Sequence, residues 1–337
     1  MCQPLRWLAL GSVAFAGLVS AADHRAAKPK RPAAPEPAQV TVTRAPYHGW
    51  PDAIVLRNAQ AEVVIVPAIG RVMQFRFLGQ AGPLWENRDL DGRPPNPRAT
   101  EWGNFGGDKT WPAPQAEWPR LTGRAWPPPP AFDSMPVQAT VKFGVVTLVS
   151  PVDPFYGIRT HRRIELHPKK PVLTITTTYE KVAGLASRVS IWTITQLKDP
   201  VGAYLPVPEP SRFRAGYDPQ SAEPPPSLKV DNGLISLTRD PRRSHKIGSD
   251  ATTLLWVGDR SMLRIDTKRA RGGEYPDRGC SAEIYTNGGG AAYVELEMVG
   301  PLHTLRFGES CRQTSTYTLL HRSVQDPEAE ARKVLDR

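Results

Sequence analysis

Two stretches of the chain place carboxylates at alternating positions on either side of a run of three glycines. Residues 281–287 and 292–299 both alternate between apolar and polar side chains, which is typical of strands with one buried face. Glycines 288–290 supply the positive φ that a tight reversal between two strands needs. The polar positions are Glu283, Tyr285, Asn287, Tyr293, Glu295 and Glu297. If the strands pair, these side chains share one face, and Glu295 and Glu297 are candidate catalytic or ligand-binding groups.

Two glutamates that point the same way from one strand need an explanation. Like charges close together on a sheet are destabilising, so this face requires a cationic partner, a ligand or plain solvent. A solvated outer face explains the alternation as well as a binding site does.

A second stretch, residues 101–118, combines polar side chains with tryptophans. Its polar members are Asn104, Asp108, Lys109 and Gln115, and its tryptophans are Trp102, Trp111 and Trp118. Sugar sites need polar groups that pair with ring hydroxyls and flat aromatic faces that cover the C–H face of the ring. The alternative is that these tryptophans and the neighbouring prolines form a small loop core that only caps the fold.

Short strand patterns follow one another through most of the chain and must position these side chains. The candidates are residues 53–57, 61–66, 72–78, 137–143, 145–150, 157–166, 172–181, 188–197, 234–237, 252–257, 261–267, 281–287, 292–299 and 315–320. Gly, Pro, Asn and Asp separate them, which favours an antiparallel sandwich over alternating strands and helices. The predicted fold class is all-β, as one domain over residues 47–337. One short helix is predicted at its end, with Asp326 as N-cap and Pro327 as first helical residue.

The 36 prolines concentrate in residues 93–136 and 201–226. Proline has no N–H to donate and is excluded from central strands, so both regions are predicted to be long surface loops. Long ordered loops on a β-scaffold often carry a binding site.

The amino terminus has the pattern of a secretory leader. Residues 1–22 contain Arg6, an apolar run and small residues suited to cleavage, and no cysteine follows that would carry a lipid anchor. Residues 23–46 are rich in Ala, Pro, Lys and Arg and are predicted to be a disordered tether. The predicted location is periplasmic or extracellular; an uncleaved N-terminal anchor is the alternative.

Removal of the leader would leave two cysteines, Cys280 and Cys311. Export would permit a disulfide between them, which loop-closure entropy would make worth about 3 kcal/mol. Two buried free thiols are an equally open alternative, because sequence does not fix the separation of the two residues.

Charge and motifs exclude several functions. The net charge is +10, but the basic residues outside the leader and tether are scattered, and there is no nucleic-acid-binding motif. The basic tether could make peripheral contact with an anionic envelope surface. No Cys/His spacing resembles a zinc site, and there is no phosphate-binding loop or dinucleotide fingerprint, so no cofactor is predicted. The sequence does not indicate an oligomeric state.

A longer pattern in the carboxyl-terminal half resembles a known family. YPD-x-GC-x-x-E-x-YTN, followed by VELE-x-x-GPL and GES, is similar to an uncharacterised bacterial family of secreted proteins. GG-x-K-x-WPAPQ, within residues 101–118, extends the resemblance. The family is placed in the galactose mutarotase-like (aldose 1-epimerase) superfamily. The resemblance covers residues 53–320 and implies a large antiparallel β-supersandwich that binds carbohydrate in a concave cleft.

The resemblance also implies roles for individual residues. Arg71 lies where an arginine of the superfamily often points into the cleft, although an ordinary exposed arginine is the alternative. Residues 190–197 lie where mutarotases carry a histidine, and this chain has Trp192 instead. Mutarotation needs a base at the anomeric hydroxyl and an acid at the ring oxygen. Glu295 or Glu297 loosely matches the base, and only a lysine, Lys109 or Lys246, could replace the missing acid.

The predicted function is an exported carbohydrate-binding protein that acts on cell-envelope or environmental glycans. The alternatives are a sugar-modifying enzyme such as an aldose 1-epimerase, with Glu297, Glu295 and Lys109 as catalytic candidates, and a structural protein with a vestigial cleft. The predicted ligand-binding residues are Arg71, Asn104, Asp108, Trp111, Gln115, Trp192 and Tyr285. In the predicted site, residues 104–111 close over the face with the two glutamates, and Arg71 and Trp192 flank it.

Overall fold

The structure is a computed structural model that describes residues 39–335, apart from residues 97 and 99. The predicted leader and residues 23–38 of the predicted tether lie outside this range. The strands are β1 (Thr41–Tyr47), β2 (Trp50–Arg57), β3 (Ala61–Val66), β4 (Arg71–Phe77), β5 (Asp108–Ala113), β6 (Gln138–Lys142), β7 (Val145–Val152), β8 (Ile158–Leu166), β9 (Val172–Lys181), β10 (Ser187–Lys198), β11 (Gly202–Pro206), β12 (Asp218–Pro219), β13 (Lys229–Asp231), β14 (Leu234–Leu237), β15 (His245–Ser249), β16 (Thr253–Val257), β17 (Ser261–Thr267), β18 (Ala282–Thr286), β19 (Tyr293–Val299), β20 (His303–Leu305) and β21 (Ser310–His321). The helices are α1 (Trp118–Thr122), α2 (Pro130–Asp133) and α3 (Pro327–Leu335), and short 3-10 turns lie at Pro67–Ile69, Arg88–Leu90, Gln115–Glu117 and Asp277–Gly279.

The strands form two antiparallel sheets. The first sheet has the order β1-β2-β3-β4-β5-β10-β19-β18-β15-β12, and β20 also pairs with β10. The second sheet has the order β13-β14-β11-β16-β17-β21-β9-β8-β7-β6. The predicted all-β fold is therefore confirmed, and four strand predictions match the observed bounds residue for residue: β3, β9, β14 and β17.

The main apolar core lies between the two sheets. Val63, Ile284 and Leu296 reach it from the first sheet, and Ile164 and Leu263 from the second. Burial alternates along β9, as the period of a strand with one inward face requires. Each fully buried aliphatic side chain contributes about 1.5–3 kcal/mol, so this shared core holds the sheets together.

Residues 93–136 are not simply the long loop that their prolines predicted. They contain β5, which pairs with β10 from Ser190↔Ala113 to Thr195↔Asp108. β5 pairs with β4 only at Val72↔Asp108. Pro112 therefore lies where β5 has a neighbouring strand on one side only, and its missing N–H breaks no ladder on the other side.

The predicted tether extends too far. Its last residues belong to β1, which pairs with β2 from Thr41↔Arg57 to Tyr47↔Trp50. The strand is mostly exposed and lies at the edge of the first sheet, where proline is tolerated. Pro46 and the polar surface gave this edge strand the composition of a linker.

The predicted terminal helix is confirmed as α3. The backbone N–H of Ala329 donates to Asp326 Oδ1 at 2.7 Å, so Asp326 caps the helix. Ala331 and Val334 pack with Leu255 of β16. Within residues 39–335, no helix combines the length and apolarity needed to cross a membrane.

The two cysteines are buried free thiols, so the predicted disulfide is wrong and the alternative is confirmed. Cys280 precedes β18 in the first sheet, and Cys311 lies in β21 of the second sheet. Burial raises the pKa of Cys311 to about 12 and raises the pKa of Cys280 as well. Both thiols are thus held in the unreactive protonated form.

Candidate functional site

A cavity of about 540 Å³ lies on the face of the first sheet that is turned away from the core. Its walls are Trp102, Asn104, Trp111, Gln115, Trp126, Trp192, Lys246, Tyr285, Asn287, Ala291, Tyr293, Glu295 and Glu297. Its size is typical of small-molecule sites, and such sites combine aromatic walls with a few polar groups in the same way.

Strand register brings the polar side chains of the cavity together. β18 and β19 pair as predicted, with Glu283↔Glu297 and Tyr285↔Glu295 side by side. β10 lies on the other flank of β19 and pairs Gln196 with Glu295. Since side chains alternate between the faces of a strand, Tyr285, Glu295 and Glu297 point into the cavity while Leu296 points into the core. Glu283 and Gln196 share the outer face of the sheet but are fully buried beside the cavity.

Lys246 of β15 is the cation that compensates two of the glutamates. Its Nζ lies 2.7 Å from Glu283 Oε2 and 2.8 Å from Glu297 Oε2. It also lies 4.5 Å from the ring centroid of Trp192, whose Nε1 donates to Glu297 Oε2 at 2.7 Å. Burial alone would lower the pKa of Lys246, but the attraction of Glu283 and Glu297 outweighs it and raises that pKa. Lys246 therefore stays charged and fixes Glu297 in place.

Lys109 of β5 forms a second, looser pair with Glu295. The distance from Lys109 Nζ to Glu295 Oε1 is 3.4 Å, and both side chains are buried. Burial lowers the pKa of Lys109 to about 8, against the pull of Glu295. Burial raises the pKa of Glu295 to about 7, against the pull of Lys109. Glu295, the member of the pair that reaches the cavity wall, can therefore gain or lose a proton close to neutral pH.

Tryptophans form one side of the cavity. Trp111 lies at the centre of the group, with ring centroids 5.4 Å from Trp192, 5.5 Å from Trp102 and 5.7 Å from Trp126. Trp126 is 43% exposed and is therefore open to a ligand. Trp118 is fully buried, and its Nε1 donates to Pro112 O at 2.8 Å. The alternative of a packed loop core thus applies to Trp118 but not to the whole group.

The structure corrects the predicted placement of Arg71, which does not line the cavity. Arg71 is fully buried and donates to Gly106 O and to Asp133 Oδ1, both at 2.7 Å. Asp133 in turn accepts hydrogen bonds from Trp111 Nε1 at 2.8 Å and from Trp102 Nε1 at 3.1 Å. Burial leaves the guanidinium of Arg71 no access to a ligand. Arg71 instead positions two tryptophans of the cavity through Asp133.

Asp108 also lies elsewhere than predicted. It precedes Lys109 on β5, so its side chain points to the opposite face of the sheet. There it forms an ion pair with Arg162 and accepts hydrogen bonds from Thr195 Oγ1 and Tyr317 OH, both at 2.7 Å. These partners come from both sheets, so Asp108 links the sheets and makes no contact with the cavity.

The other predicted residues are brought together. Asn104, Trp111, Gln115, Trp192, Tyr285, Glu295 and Glu297 line the cavity, and Lys109 lies behind Glu295. Sequence reasoning did not select Trp126, Asn287 or Tyr293 as site residues, and it considered Lys246 only as a substitute for the missing acid. Asn287 and Tyr293 had a signal in the polar alternation, whereas the place of Lys246 beside Glu297 had none, since β15 was not predicted. In the part of the chain that the structure describes, no group of three His, Cys, Asp or Glu side chains could hold a metal ion.

The fold and this cavity define an antiparallel β-sandwich with a small-molecule-sized site on one sheet face. No protein-family model matches the sequence, and no curated protein matches it. Solved structures match over most of the chain. A proposed aldose 1-epimerase from Klebsiella pneumoniae has a TM-score of 0.55 at 12% identity, over 88% of this chain and 87% of that one.

Two further solved structures show the same relationship. A galactose mutarotase-like protein from Lactobacillus casei has a TM-score of 0.53 at 11% identity, over 80% of this chain and all of that one. A TPR-domain containing protein from Parabacteroides distasonis has a TM-score of 0.51 at 14% identity; the match covers 81% of this chain but only 47% of that one. The fold is therefore galactose mutarotase-like, as the resemblance implied. Secretion and membership of the secreted family remain predictions.

Proposed function

We propose that this protein binds carbohydrate in the cavity between Trp126 and Glu297. The observation that carries the proposal is the cavity itself, where several tryptophan rings face a row of carboxylates, amides and a phenol. A sugar ring presents both a C–H face and a rim of hydroxyls, so it needs both kinds of wall at once. The galactose mutarotase-like fold supports a carbohydrate-related role.

The polar walls suit hydroxyl groups in both directions. Glu295 and Glu297 can only accept hydrogen bonds when ionised, while the amides of Asn104 and Gln115 can both donate and accept. Lys246 holds Glu297 at a fixed position, which reduces the ordering cost of binding. Trp126 is the exposed ring on which the C–H face of a sugar would stack.

A sugar-modifying activity is the second candidate, and Glu295 is the observation that bears on it. Its pKa, raised to about 7 by burial, is close to what a general acid or base at neutral pH requires. We nevertheless propose binding without catalysis, since mutarotation also needs an acid at the ring oxygen. None of the described residues that line the cavity is a histidine, and Lys109 lies behind Glu295 rather than in the wall. Lys246 does line the cavity, but Glu283 and Glu297 raise its pKa and so make it a poor proton donor.

We further propose that the protein acts after export, on cell-envelope or environmental glycans. The pattern of residues 1–22 supports this, as described above. Amino-terminal sequencing of the protein from its native host should find a chain that starts near residue 22 or 23. An intact Met1 would contradict export.

The test of the binding function is a glycan array followed by titration calorimetry on each sugar that binds. Trp126→Ala should lower the affinity about tenfold or more, because it removes the exposed stacking ring while leaving the buried cluster in place. Phe143→Ala is the matched control, since Phe143 is a fully exposed aromatic residue between β6 and β7 of the other sheet. Trp111→Ala is less informative, because Trp111 is only 3% exposed and its loss would destabilise the fold.

Two outcomes would count against this function. If no sugar on the array binds, or if Trp126→Ala and Phe143→Ala bind equally well, the cavity is not a carbohydrate site. An anomer-exchange assay on each sugar that binds then separates the two candidates. Faster exchange that Glu295→Gln abolishes would establish the enzyme in place of the binding protein.

A further inference from the structure

We propose that the ligand of this cavity is an amino sugar, a carbohydrate that carries a positively charged amine. The inference rests on the proposed carbohydrate binding and names the class of sugar. Three features of the site support it independently: the balance of charge, the incomplete hydrogen bonding of Glu295, and the aromatic walls.

The charges of the site do not balance. Three carboxylates, those of Glu283, Glu295 and Glu297, face two ammonium groups, those of Lys109 and Lys246. Arg71 does not correct this excess, because Asp133 already neutralises it. Among the described residues that line the cavity, Lys246 is the only cation. Counted with every carboxylate ionised, the site therefore holds one more negative than positive charge, although the whole chain has a net charge of +10.

Glu295 is the carboxylate with room for another partner. Its hydrogen bond from Lys109 Nζ is, at 3.4 Å, long for a charged pair, and its other partner is the carboxyl group of Glu297, which can share a proton with it but brings no positive charge. The neighbouring Tyr285 does not compensate, since its hydroxyl bonds to Ser244 Oγ and Asn287 Oδ1 at 3.0 and 3.1 Å. Glu295 is 7% exposed, and that exposed surface lies in the cavity wall. An ammonium group on the ligand would supply the missing donor and the missing charge.

The aromatic walls are of a kind that favours cations. The ammonium of Lys246 lies 4.5 Å from the ring of Trp192, and that of Lys109 lies 4.9 Å from the ring of Trp111. Both lysines of the site thus already use tryptophan faces as partners. Trp126 adds an exposed ring at the same cavity, so a ligand cation can be held by a ring and a carboxylate together.

Proton binding is coupled to this selectivity. Burial raises the pKa of Glu295 to about 7, and among the titratable groups that face it the two lysines lower that pKa and Glu297 raises it. These groups are Lys109 from β5, Tyr285 from β18, Lys246 from β15, and Tyr293 and Glu297 from β19. Without ligand, a proton therefore neutralises the extra carboxylate near neutral pH. A ligand ammonium would replace that proton, so affinity should rise with pH as Glu295 ionises and fall again once the amine of the sugar loses its own proton.

The experiment compares three soluble oligosaccharides of equal length by calorimetry: an oligomer of glucosamine, its N-acetylated form, and an oligomer of a uronic acid. The affinity for the glucosamine oligomer should exceed that for the N-acetylated form by about tenfold or more, because a charge-assisted hydrogen bond is stronger than a neutral one. The uronic acid should bind most weakly, because its carboxylate adds to the negative excess.

A variant separates the role of Glu295 from general electrostatics. Glu295→Gln keeps the shape of the side chain and removes its charge, so the ratio between the affinities for the glucosamine and N-acetylated oligomers should fall toward one. Glu309→Gln is the matched control, because Glu309 is an exposed carboxylate in the turn before β21 of the other sheet, and this variant should keep the ratio.

The two proposals fail in different ways. If the N-acetylated or the uronic acid oligomer binds as tightly as the glucosamine oligomer, carbohydrate binding stands and the amino-sugar inference is wrong. If the ratio is the same in Glu295→Gln as in the wild type, the inference is also wrong. If none of the three oligomers binds and the glycan array finds no other sugar, both proposals are wrong.

Discussion

At the scale of single residues, the site depends on how two lysines share three buried glutamates. Lys246 is bound tightly to Glu283 and Glu297, at 2.7 and 2.8 Å, whereas Lys109 lies 3.4 Å from Glu295. Removing one partner of a buried pair leaves the other uncompensated, which typically costs about 3–5 kcal/mol. The tight trio is thus a fixed part of the fold, and the looser pair is the part of the site that can respond to a ligand.

The same glutamates predict how stability depends on pH. Burial raises the pKa of Glu283 to about 8 and that of Glu295 to about 7, whereas a glutamate of the unfolded chain titrates near about 4.3. Between these values the folded protein holds protons that the unfolded chain has released. Their contribution to stability is therefore complete below the unfolded pKa and is lost as the pH rises through the folded pKa.

We expect the free energy of unfolding to fall from about pH 5 to about pH 8, as measured by chemical denaturation at a series of pH values. Lys109, whose pKa burial lowers to about 8, acts in the opposite direction only above that pH. Glu283→Gln should make the fall shallower, and Glu309→Gln should leave it unchanged. A wild-type protein whose stability rises over this range would contradict the arrangement.

Part of this residue-scale arrangement could be predicted from sequence. Alternation in β18 and β19 placed Glu283, Glu295 and Glu297 on one face, and like-charge repulsion required a cation beside them. Sequence did not identify Lys246 as that cation, because β15 is short and its pairing with β18 is set by the whole sheet. The expected cation Arg71 is instead committed to Asp133, a contact between distant segments that no local pattern contains.

At the scale of elements, the two glycines before β5 determine where Lys109 and Trp111 are delivered. Gly106 has φ +87°, and a Cβ built on it would lie 2.3 Å from Trp85 O. Its carbonyl also accepts the hydrogen bond from Arg71. Glycine is needed here both for the backbone conformation and for the close approach of the segment at Trp85.

Gly106→Ala is therefore expected to be more harmful than the same change at an uncrowded glycine. Gly123 is the matched control, since it has φ +75° but no neighbouring atom within 4 Å of its would-be Cβ. Gly123→Ala should cost about 1 kcal/mol of stability for the left-handed backbone alone. Gly106→Ala should cost about 1–3 kcal/mol more, because its new Cβ is also crowded. Denaturant titration of both variants measures the difference; equal losses would show that the contact with Trp85 is unimportant.

Strands were predicted well where the spacing of apolar residues alone determines their bounds. β3 is buried along its whole length, and burial alternates along β9. Both patterns follow from the sequences of these strands, and both strands match their predicted bounds. β5 was not predicted, because Pro112 and the proline-rich segments on both sides of it are typical of a loop. Composition does not show that β5 pairs on one side only at Pro112. The predicted tether includes most of β1 for a similar reason, since an exposed edge strand and a linker have similar compositions.

At the scale of the whole molecule, a buried polar network joins the two sheets behind the cavity. Asp108 of β5 and Thr195 of β10 belong to the first sheet, and Arg162 of β8 and Tyr317 of β21 belong to the second. All four side chains are buried and meet at the carboxylate of Asp108. The network lies on the opposite face of β5 from Lys109, so the strand carries a structural group on one side and a site group on the other.

This division predicts that stability and binding can be separated at adjacent residues of β5. Asp108→Asn keeps the size of the side chain but leaves the buried guanidinium of Arg162 without its counter-charge, which should cost about 3 kcal/mol or more. Because Asp108 faces away from the cavity, the affinity of the folded protein for its sugar should change by less than about twofold. Denaturant titration and calorimetry on the same sample measure both quantities. Glu297→Gln, which alters the cavity wall itself and breaks the pair with Lys246, should weaken binding as well as stability. If Asp108→Asn abolishes binding while the protein remains folded, Asp108 takes part in ligand recognition, and the separation of the two faces of β5 is wrong.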